Sequence, residues 1–389
     1  MKKAILASAL LLAFSQASAN EGPKWDSLTV AYQDVDLVGI DVSGFSFSGS
    51  KLVNDNVFVF GNLSMNSDTI GGIDFDLDTT TLGVGYRYGY SEQTDFFGTL
   101  SASRPEIFPI YWSKPQMEAR QSERMHHVQC FLNSFWKVES EGKQWFDPNI
   151  NYIYPDRVRR RPPGTTSNGL GPHTDSGALE RWLLPAYQKV FRHILNGNFQ
   201  HYDPWDAAYR PDVDEYVGGT TKCSAFRTFQ GWTALCDIKR DQGVLFTIPL
   251  PAAMAYLLIR PLLDDVADEA LCGVSPRKVL PIDEQWHSLL LRAKALIPDL
   301  NAGDSVWWHC DLIHGVNPVE NQKGWGNVMY IPAAPGCEKN RQYAKQCAED
   351  FKAGRSPDDF PEEHYETTWK NRFQWEDLSS LGRKAFAER

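Results

Sequence analysis

Three histidines in the sequence are followed two positions later by an aspartate. A histidine and a carboxylate at this spacing, together with a more distant histidine, can occupy one face of an octahedral metal ion and leave three positions open, as in the facial triad of non-haem Fe(II) oxygenases. At most one of the three pairs should bind metal, because the spacing alone also arises by chance. The pairs are His173 with Asp175, His201 with Asp203, and His309 with Asp311.

The residues around each pair favour the first as the metal site. The text GLGPHTDSG places glycines on both sides of His173 and Asp175, which predicts a turn at an element end with room for a ligand. His201 follows a predicted helix and precedes a proline, so a capping or turn role is expected there. His309 ends the aromatic stretch VWWH, where a core or supporting position is expected.

The elements that would position these residues begin after about residue 96. Apolar residues that recur at three and four positions predict helices, and short apolar runs bounded by turn residues predict strands. Their order indicates a β-rich core with helices on its flanks. The predicted helices are 180–195, 251–263 and 286–296, and the predicted strands are 224–236, 244–249, 304–313 and 327–331.

The first quarter of the chain differs in composition from the rest. The chain of 389 residues carries a formal charge of −10, and such acidity argues against nucleic-acid binding, which needs a concentrated basic face. Residues 20–95 hold three basic and twelve acidic side chains, a balance of −9, and only one of the 23 prolines. We therefore expect two segments of different origin to meet near residue 95.

The chain begins with the pattern of an export signal. Two lysines precede an apolar run over residues 4–14, and the small residues Ala17-Ser18-Ala19 form a cleavage site. We interpret residues 1–19 as a signal peptide, which predicts a periplasmic or outer-membrane location. The alternative is a buried N-terminal helix.

From Leu28 to about Leu100, apolar and polar side chains alternate with a period of two, interrupted by the turn signals NDN and GG. The pattern predicts an incomplete antiparallel β-meander of four or five short strands. After an export signal it is similar to the start of a small bacterial outer-membrane β-barrel, whose outer residues face lipid, so membrane association through residues 20–95 is expected. A soluble meander is the alternative.

The cysteines point to a different compartment. The seven cysteines are odd in number and include no C-x-x-C pair, which argues against a zinc finger or a disulfide framework. Scattered thiols are typical of a reducing cytosol, in contrast to the export signal.

Four long stretches carry a resemblance to a known family. They are FFGTLSASRPEIFPIYWS (96–113), RRRPPGTTSNGLGPHTDSGALERWLLPAYQ (159–188), TKCSAFRTFQGWTAL (221–235) and GDSVWWHCDLIHGVNPVENQKGWGNVMYIPAAP (303–335). From about residue 96 to its end, the chain resembles the YbiU-like proteins of bacteria and fungi, which are assigned to the Fe(II)/2-oxoglutarate dioxygenase superfamily. The resemblance implies a cytoplasmic enzyme with a double-stranded β-helix, a cupin-like jelly roll whose mouth holds the metal.

The same resemblance implies a set of metal ligands and substrates. His173 and Asp175 would be the proximal ligands of Fe(II). His314 would be the distal ligand, because it follows a Gly-Asp strand start and precedes a glycine and an asparagine, with His309 as the alternative. The implied reaction consumes 2-oxoglutarate, O2 and an unidentified small-molecule substrate, and it yields succinate and CO2.

A basic residue should bind the far carboxylate of 2-oxoglutarate, because a planar guanidinium offers two parallel hydrogen bonds. Arg227 is the first candidate, with a structural salt bridge as its alternative role. Lys323 and Arg161 are further candidates. The sequence departs from the superfamily pattern in having no arginine between His314 and Arg341.

The strand-rich segment stands where members of the resembled family carry a different N-terminal segment. We therefore hypothesise a chimera, formed by gene fusion, recombination or sequence assembly, that is joined at FFGTLS (96–101). The predicted domains are the signal peptide, the partial barrel at 20–95, and a dioxygenase domain at 96–389 that lacks its usual N-terminal segment. Two other functions stay open: a cupin-type metal protein without oxygenase activity, and an envelope β-barrel fragment that carries an inactive enzyme remnant.

Overall fold

The chain divides into two compact units, Met1–Pro105 and Glu106–Arg389. The structure is a computed structural model, and it describes residues 26–36, 41–53, 57–70, 73–91, 94–101, 107–213, 224–276, 278–360, 365–369 and 372–388. The predicted signal peptide therefore lies outside the described residues. Within the described ranges, every helix is too short or too polar to serve as a membrane span.

The first unit is an antiparallel sheet in which each strand pairs with its neighbours in the chain. Tyr32 lies opposite Phe45, and Phe45 lies opposite Met65, so apolar side chains of three strands share one face of the sheet. The last strand contains FFGTLS, the stretch at which the hypothetical fusion joins the two segments. The strands are β1 Ser27–Asp36, β2 Asp41–Leu52, β3 Val57–Ile70, β4 Ile73–Ser91 and β5 Thr94–Ser101.

The described residues of the second unit form two five-stranded sheets whose strand pairs are all antiparallel, in the orders β16-β12-β18-β10-β6 and β14-β11-β17-β13-β15, with the bounds of each strand given below. Two pairs of short strands, β9 with β19 and β7 with β8, lie outside these sheets. The double-stranded β-helix implied by the resemblance stays a prediction. The strands are β6 Ile107–Phe108, β7 Glu139–Ser140, β8 Lys143–Gln144, β9 Asp147–Asn151, β10 Val158–Arg159, β11 Leu170–Gly177, β12 Phe229–Ala234, β13 Leu245–Ile248, β14 Val279–Pro281, β15 Ala295–Leu296, β16 Ser305–His309, β17 Ile313–Val316, β18 Val328–Tyr330 and β19 Pro335–Gly336.

Helices surround the sheets of this unit. The described helices are α1 Lys114–Arg120, α2 Glu123–Asn133, α3 Glu180–Leu183, α4 Pro185–Val190, α5 Arg192–Leu195, α6 Ala253–Ile259, α7 Glu284–Leu291, α8 Glu338–Ala353, α9 Tyr365–Thr368 and α10 Ser380–Ala385. Short 3-10 turns lie at Phe199–His201, Arg210–Asp212, Arg260–Leu262, Leu271–Gly273 and Trp375–Asp377.

Two predicted helices differ from the structure for identifiable reasons. The stretch 180–195 forms three short helices, because Pro185 has no backbone N–H to continue α3 and instead begins α4. In the stretch 286–296, helix α7 begins earlier than predicted, at the cap provided by Asp283. It ends at Leu291, and residues 295–296 pair with β13 as a strand.

A buried apolar cluster joins helices α4 to α6 to the sheet that contains β11. Phe191, Met254 and Leu258 are almost fully buried, and they pack in one cluster with Leu280 of β14 and Ile313 of β17. Burial of such side chains contributes about 1.5–3 kcal/mol each relative to exposure. The helices therefore hold the strands on which His173 and His314 lie.

We expect Gly169→Ala to destabilise the pairing of β11 with β17. Gly169 has a φ of +74°, and a Cβ atom there would overlap the Val316 carbonyl oxygen, so alanine meets both backbone strain and a clash. The free energy of unfolding should fall by about 1–3 kcal/mol in urea titrations. Gly171→Ala is the control, since a Cβ there has no neighbour within 4 Å. Equal stability of the two variants would contradict this reading.

Candidate metal centre

Two adjacent strands of one sheet, β11 and β17, bring His173, Asp175 and His314 together. His173 of β11 lies directly opposite His314 of β17, and their ring centroids are 4.5 Å apart. Asp175 shares their face because side chains alternate along a strand. Its Oδ1 lies 3.3 Å from His173 Nε2 and 3.9 Å from His314 Nε2. One ligand atom from each residue lies within 4.8 Å of the others, so all three could bind one cation.

Backbone carbonyls orient both imidazole rings. Nδ1 of His173 lies 2.8 Å from the Gly171 carbonyl oxygen, and Nδ1 of His314 lies 3.0 Å from that of Leu312. A carbonyl can only accept, so Nδ1 carries the proton in each ring and Nε2 is turned toward the carboxylate. Metal-bound histidines in proteins usually have this arrangement.

Burial and mutual charge set the protonation of the three groups. Burial lowers the pKa of His314, which keeps its imidazole neutral and able to bind a cation. Burial raises the pKa of Asp175, but the hydrogen bond from His173 and the electrostatic effects of the two imidazoles and of Arg227 outweigh it, and the pKa lies well below its usual range. Burial lowers the pKa of His173, but the hydrogen bond and the charge of Asp175 outweigh it, so the pKa of His173 is raised overall. A divalent cation would replace the proton that these two groups share.

A buried arginine supports the Asp175 backbone. Arg181 is 1% exposed, and its Nη2 donates to the Asp175 carbonyl oxygen at 2.7 Å and to Thr174 Oγ1 at 3.4 Å. Its guanidinium lies over the rings of Tyr187 and Phe191. Arg181 is not among the residues that the sequence predicts for the site. The local feature that could have drawn attention to Arg181 is the charged pair Glu180-Arg181 directly before an apolar helical run.

A cleft lies near the three residues, although none of them is among the described residues that line it. Arg181 lines it, and so does Gln230, whose Oε1 accepts a hydrogen bond from Trp308 Nε1 at 3.0 Å. The Trp308 ring is in turn 5.2 Å from the His314 ring. The cleft is thus connected to the candidate ligands through side chains that touch them.

The structure separates the three candidates for the cosubstrate anchor. Arg227 lines the cleft, lies over the Tyr154 ring, and its charge contributes to the low pKa of Asp175. Arg161 is buried elsewhere, where its Nη1 donates to the Gly243 carbonyl oxygen. Lys323 is exposed, and its backbone N–H donates to a glutamine next to Gly243. Neither of these two is among the described residues that line the cleft.

His309, the alternative distal ligand, lies in a different environment. It stacks on Trp136 with ring centroids 4.7 Å apart and is 3% exposed. Its Nδ1 accepts from the Asp311 backbone N–H at 3.0 Å, so Nε2 carries the proton and donates to the Pro204 carbonyl oxygen at 3.1 Å. Asp311 forms a 2.7 Å ion pair with Arg210. His309, Cys310 and Asp311 also cluster, but the imidazole has no lone pair to offer in this arrangement.

The remaining pair lies at the surface. His201 is exposed in a single 3-10 turn, and Asp203 Oδ1 accepts the backbone N–H of Trp205 at 2.9 Å. This is the turn role that the following proline predicts, and the pair has no third ligand in the candidate metal groups of the described residues.

Comparison with known proteins places the chain in a family. A family model described as Gig2-like matches residues 87–388. The Escherichia coli K12 protein YbiU, whose function is not characterised, is 65% identical over 292 residues, which make up 75% of this chain and 69% of that protein. The chain therefore belongs to the Gig2-like family.

Solved structures of two relatives resemble this chain over about three quarters of its length. One is from Salmonella typhimurium LT2 and is provisionally named an oxidoreductase, with 66% identity and a TM-score of 0.71 over 74% of this chain and 69% of that one. The other is GlcNAc Inducible Gene 2 of Candida albicans, with 28% identity and a TM-score of 0.64 over 72% of this chain and 66% of that one.

Proposed function

We propose that the Glu106–Arg389 unit is a non-haem Fe(II)- and 2-oxoglutarate-dependent dioxygenase that hydroxylates a small organic substrate and releases succinate and CO2. The observation that carries the proposal is the cross-strand pair of His173 and His314, whose Nε2 atoms both face the Asp175 carboxylate. Two imidazoles and one carboxylate on one face of a cation form the donor set of this enzyme class. The provisional name of the Salmonella relative agrees with an oxidoreductase.

The residues of the site fit a bound divalent cation. Both histidines are held by their Nδ1 atoms, so little reorganisation is needed to present Nε2. The Asp175 side chain is 30% exposed, which leaves one side of the carboxylate accessible from solvent. Bound Fe(II), with 2-oxoglutarate as the cosubstrate, would allow O2 to oxidise the substrate.

The remaining roles fall to side chains beside the ligands. Arg181 holds the Asp175 backbone and so positions its carboxylate. Arg227 would bind the far carboxylate of 2-oxoglutarate with its guanidinium, since it lines the cleft and its charge acts on Asp175. Trp308 packs near the His314 ring and excludes water from that side of the site. In this proposal the two five-stranded sheets are the walls of a double-stranded β-helix.

Anaerobic titration of the full chain with Fe(II) and 2-oxoglutarate tests the proposal. We expect a weak visible charge-transfer band that saturates, and succinate release once O2 and a substrate are added. Arg227→Met should raise the 2-oxoglutarate concentration at half-saturation by about tenfold or more, because it removes a charge-assisted bidentate contact. Lys323→Met is the control and should behave as the wild type, since Lys323 is exposed away from the cleft.

Two results would count against the proposal in different ways. Metal binding without the band would favour a cupin-type metal protein without oxygenase activity. A normal response in Arg227→Met would move the cosubstrate anchor to another residue.

A further inference from the structure

Gln230 presents a side-chain amide of fixed orientation to the cleft. It lies on β12, is 6% exposed, and lines the cleft. Trp308 lies directly opposite it on β16, with Trp308 Nε1 at 3.0 Å from Gln230 Oε1. An indole N–H can only donate, so this contact identifies which end of the amide is the oxygen. The Nε2 end of the amide is therefore turned away from Trp308.

The Nε2 group of Gln230 has two N–H donors, and no acceptor among the described residues bonds to it. It is also not one of the fully enclosed unpaired atoms of these residues, so it keeps contact with the open cleft. An amide on a side chain this deeply buried loses free energy when its donors stay unpaired. The amide therefore favours a ligand that brings an oxygen acceptor into the cleft.

Packing connects this donor to the candidate metal centre. The Trp308 ring is 7% exposed, and its centroid lies 5.2 Å from that of the His314 ring. Only the Trp308 side chain thus stands between Gln230 and a candidate metal ligand. A keto acid that binds the cation through its keto oxygen and one carboxylate carries its other carboxylate two methylene groups away. The far end of such a ligand would meet the Gln230 amide where it enters the cleft.

We infer that Gln230 donates a hydrogen bond from Nε2 to the far carboxylate of 2-oxoglutarate and so selects a dicarboxylate over a keto acid with an apolar end. Trp308 is a positioning residue, because its indole N–H holds the amide in the orientation that presents Nε2. The identity of the keto acid rests on the proposed function. The contact does not depend on Arg227, because a carboxylate has about four lone-pair sites and accepts from several donors.

Anaerobic calorimetric titration of the Fe(II)-loaded full chain tests the inference with two keto acids. They are 2-oxoglutarate and 2-oxopentanoate, which carries a methyl group in place of the far carboxylate. We expect the wild type to prefer 2-oxoglutarate, and Gln230→Met to weaken its binding by about tenfold or more while 2-oxopentanoate binds as before. Gln188→Met is the matched control, because Gln188 is exposed and does not line the cleft.

Two further variants separate the proposed contact from a general effect on the fold. Gln230→Glu keeps an acceptor for the Trp308 indole, but it should also lose the preference, because its carboxylate would repel that of the ligand. Trp308→Phe keeps a ring beside His314 and removes only the indole N–H. It should cause a smaller loss that is confined to 2-oxoglutarate, since the amide is still present but no longer held in one orientation.

Equal losses for the two keto acids in the Gln230 variants, a preference that these variants keep, or no preference in the wild type would each overturn the inference. Its failure is distinguishable from failure of the proposed function. A charge-transfer band in the wild type, with an unchanged preference in the Gln230 variants, would overturn the role of Gln230 alone. A preference that depends on Gln230 in a chain that shows no such band would overturn the dioxygenase alone.

Discussion

Replacing His314 with alanine is expected to weaken Fe(II) binding by more than about 100-fold and to abolish succinate formation. Changes to residues that only orient a metal ligand typically cost 10–100-fold in affinity, and loss of a ligand costs more. His314 is 6% exposed and its Nδ1 is held by the Leu312 carbonyl, so no other described side chain stands ready to replace its Nε2. Anaerobic equilibrium dialysis with iron quantification measures the effect.

His201→Ala is the matched control for this experiment. It makes the same substitution in a His-x-Asp pair, but at an exposed turn, and iron binding should equal that of the wild type. His309→Gln tests the alternative ligand. The assignment of His314 is wrong if His309→Gln loses iron while His314→Ala keeps it.

Breaking the buried ion pair between Arg210 and Asp311 should cause the largest loss of stability. Both side chains are 6% exposed and their charged atoms lie 2.7 Å apart. Burial raises the pKa of Asp311, but Arg210 and His309 lower it below its usual range, so the carboxylate is charged in the folded protein. Arg210→Met leaves that charge buried without its partner, which costs about 3–5 kcal/mol.

Urea unfolding followed by tryptophan fluorescence measures this cost, because twelve of the 13 tryptophans follow residue 105. The double variant Arg210→Met with Asp311→Leu should recover most of the loss, since a matched apolar pair no longer buries a charge. A loss below about 1 kcal/mol in Arg210→Met would mean that the pair behaves as a solvated surface bridge.

The pH dependence of the free energy of unfolding follows from the pKa of Asp311. A carboxyl group whose folded-state pKa is depressed contributes stability above its unfolded pKa of about 3.9, and that contribution is lost as the pH falls through the folded value. In Arg210→Met the buried carboxyl is instead expected to prefer the protonated form. The difference in stability between wild type and variant should therefore narrow as the pH is lowered toward 4, in the range about 7 to 4.

Part of the site could be predicted from the sequence because its signals are local. The glycines around His173 and Asp175 distinguished this pair from the two others, and the aromatic context of His309 indicated a supporting position. The structure brings His173, Asp175 and His314 together and gives His309 other partners. Their role as metal ligands stays a prediction.

The residues that the sequence reading missed depend on contacts between distant segments. Arg181, Arg210 and Lys339 come from three different elements, and nothing in their neighbouring residues shows that they line one cleft. The candidates for binding the far carboxylate of 2-oxoglutarate are also indistinguishable in the sequence, since Arg227 and Arg161 have the same chemistry. Only tertiary packing places one at the cleft and the other elsewhere. Pairing between strands far apart in the chain is set by the whole sheet and not by local propensity.

The secondary structure also divides into elements with a local signal in the sequence and elements that depend on distant contacts. Period-two alternation predicts four or five short strands up to about residue 100, and the described residues of this segment form five, although β4 extends from Ile73 to Ser91. Helix α8 was not predicted, yet Tyr343, Cys347 and Phe351 recur at four-residue spacing and are its buried face. That signal was available in the sequence. The strand at 295–296 was not, because it forms only where β13 offers an edge.

X-ray diffraction at the iron absorption edge, from crystals of the full chain soaked anaerobically with Fe(II), tests the metal centre most directly. We predict one anomalous peak within about 2.2 Å of His173 Nε2, an Asp175 carboxylate oxygen and His314 Nε2, the usual length of such metal–ligand bonds. A peak among His309, Cys310 and Asp311, or no peak between β11 and β17, would contradict the account.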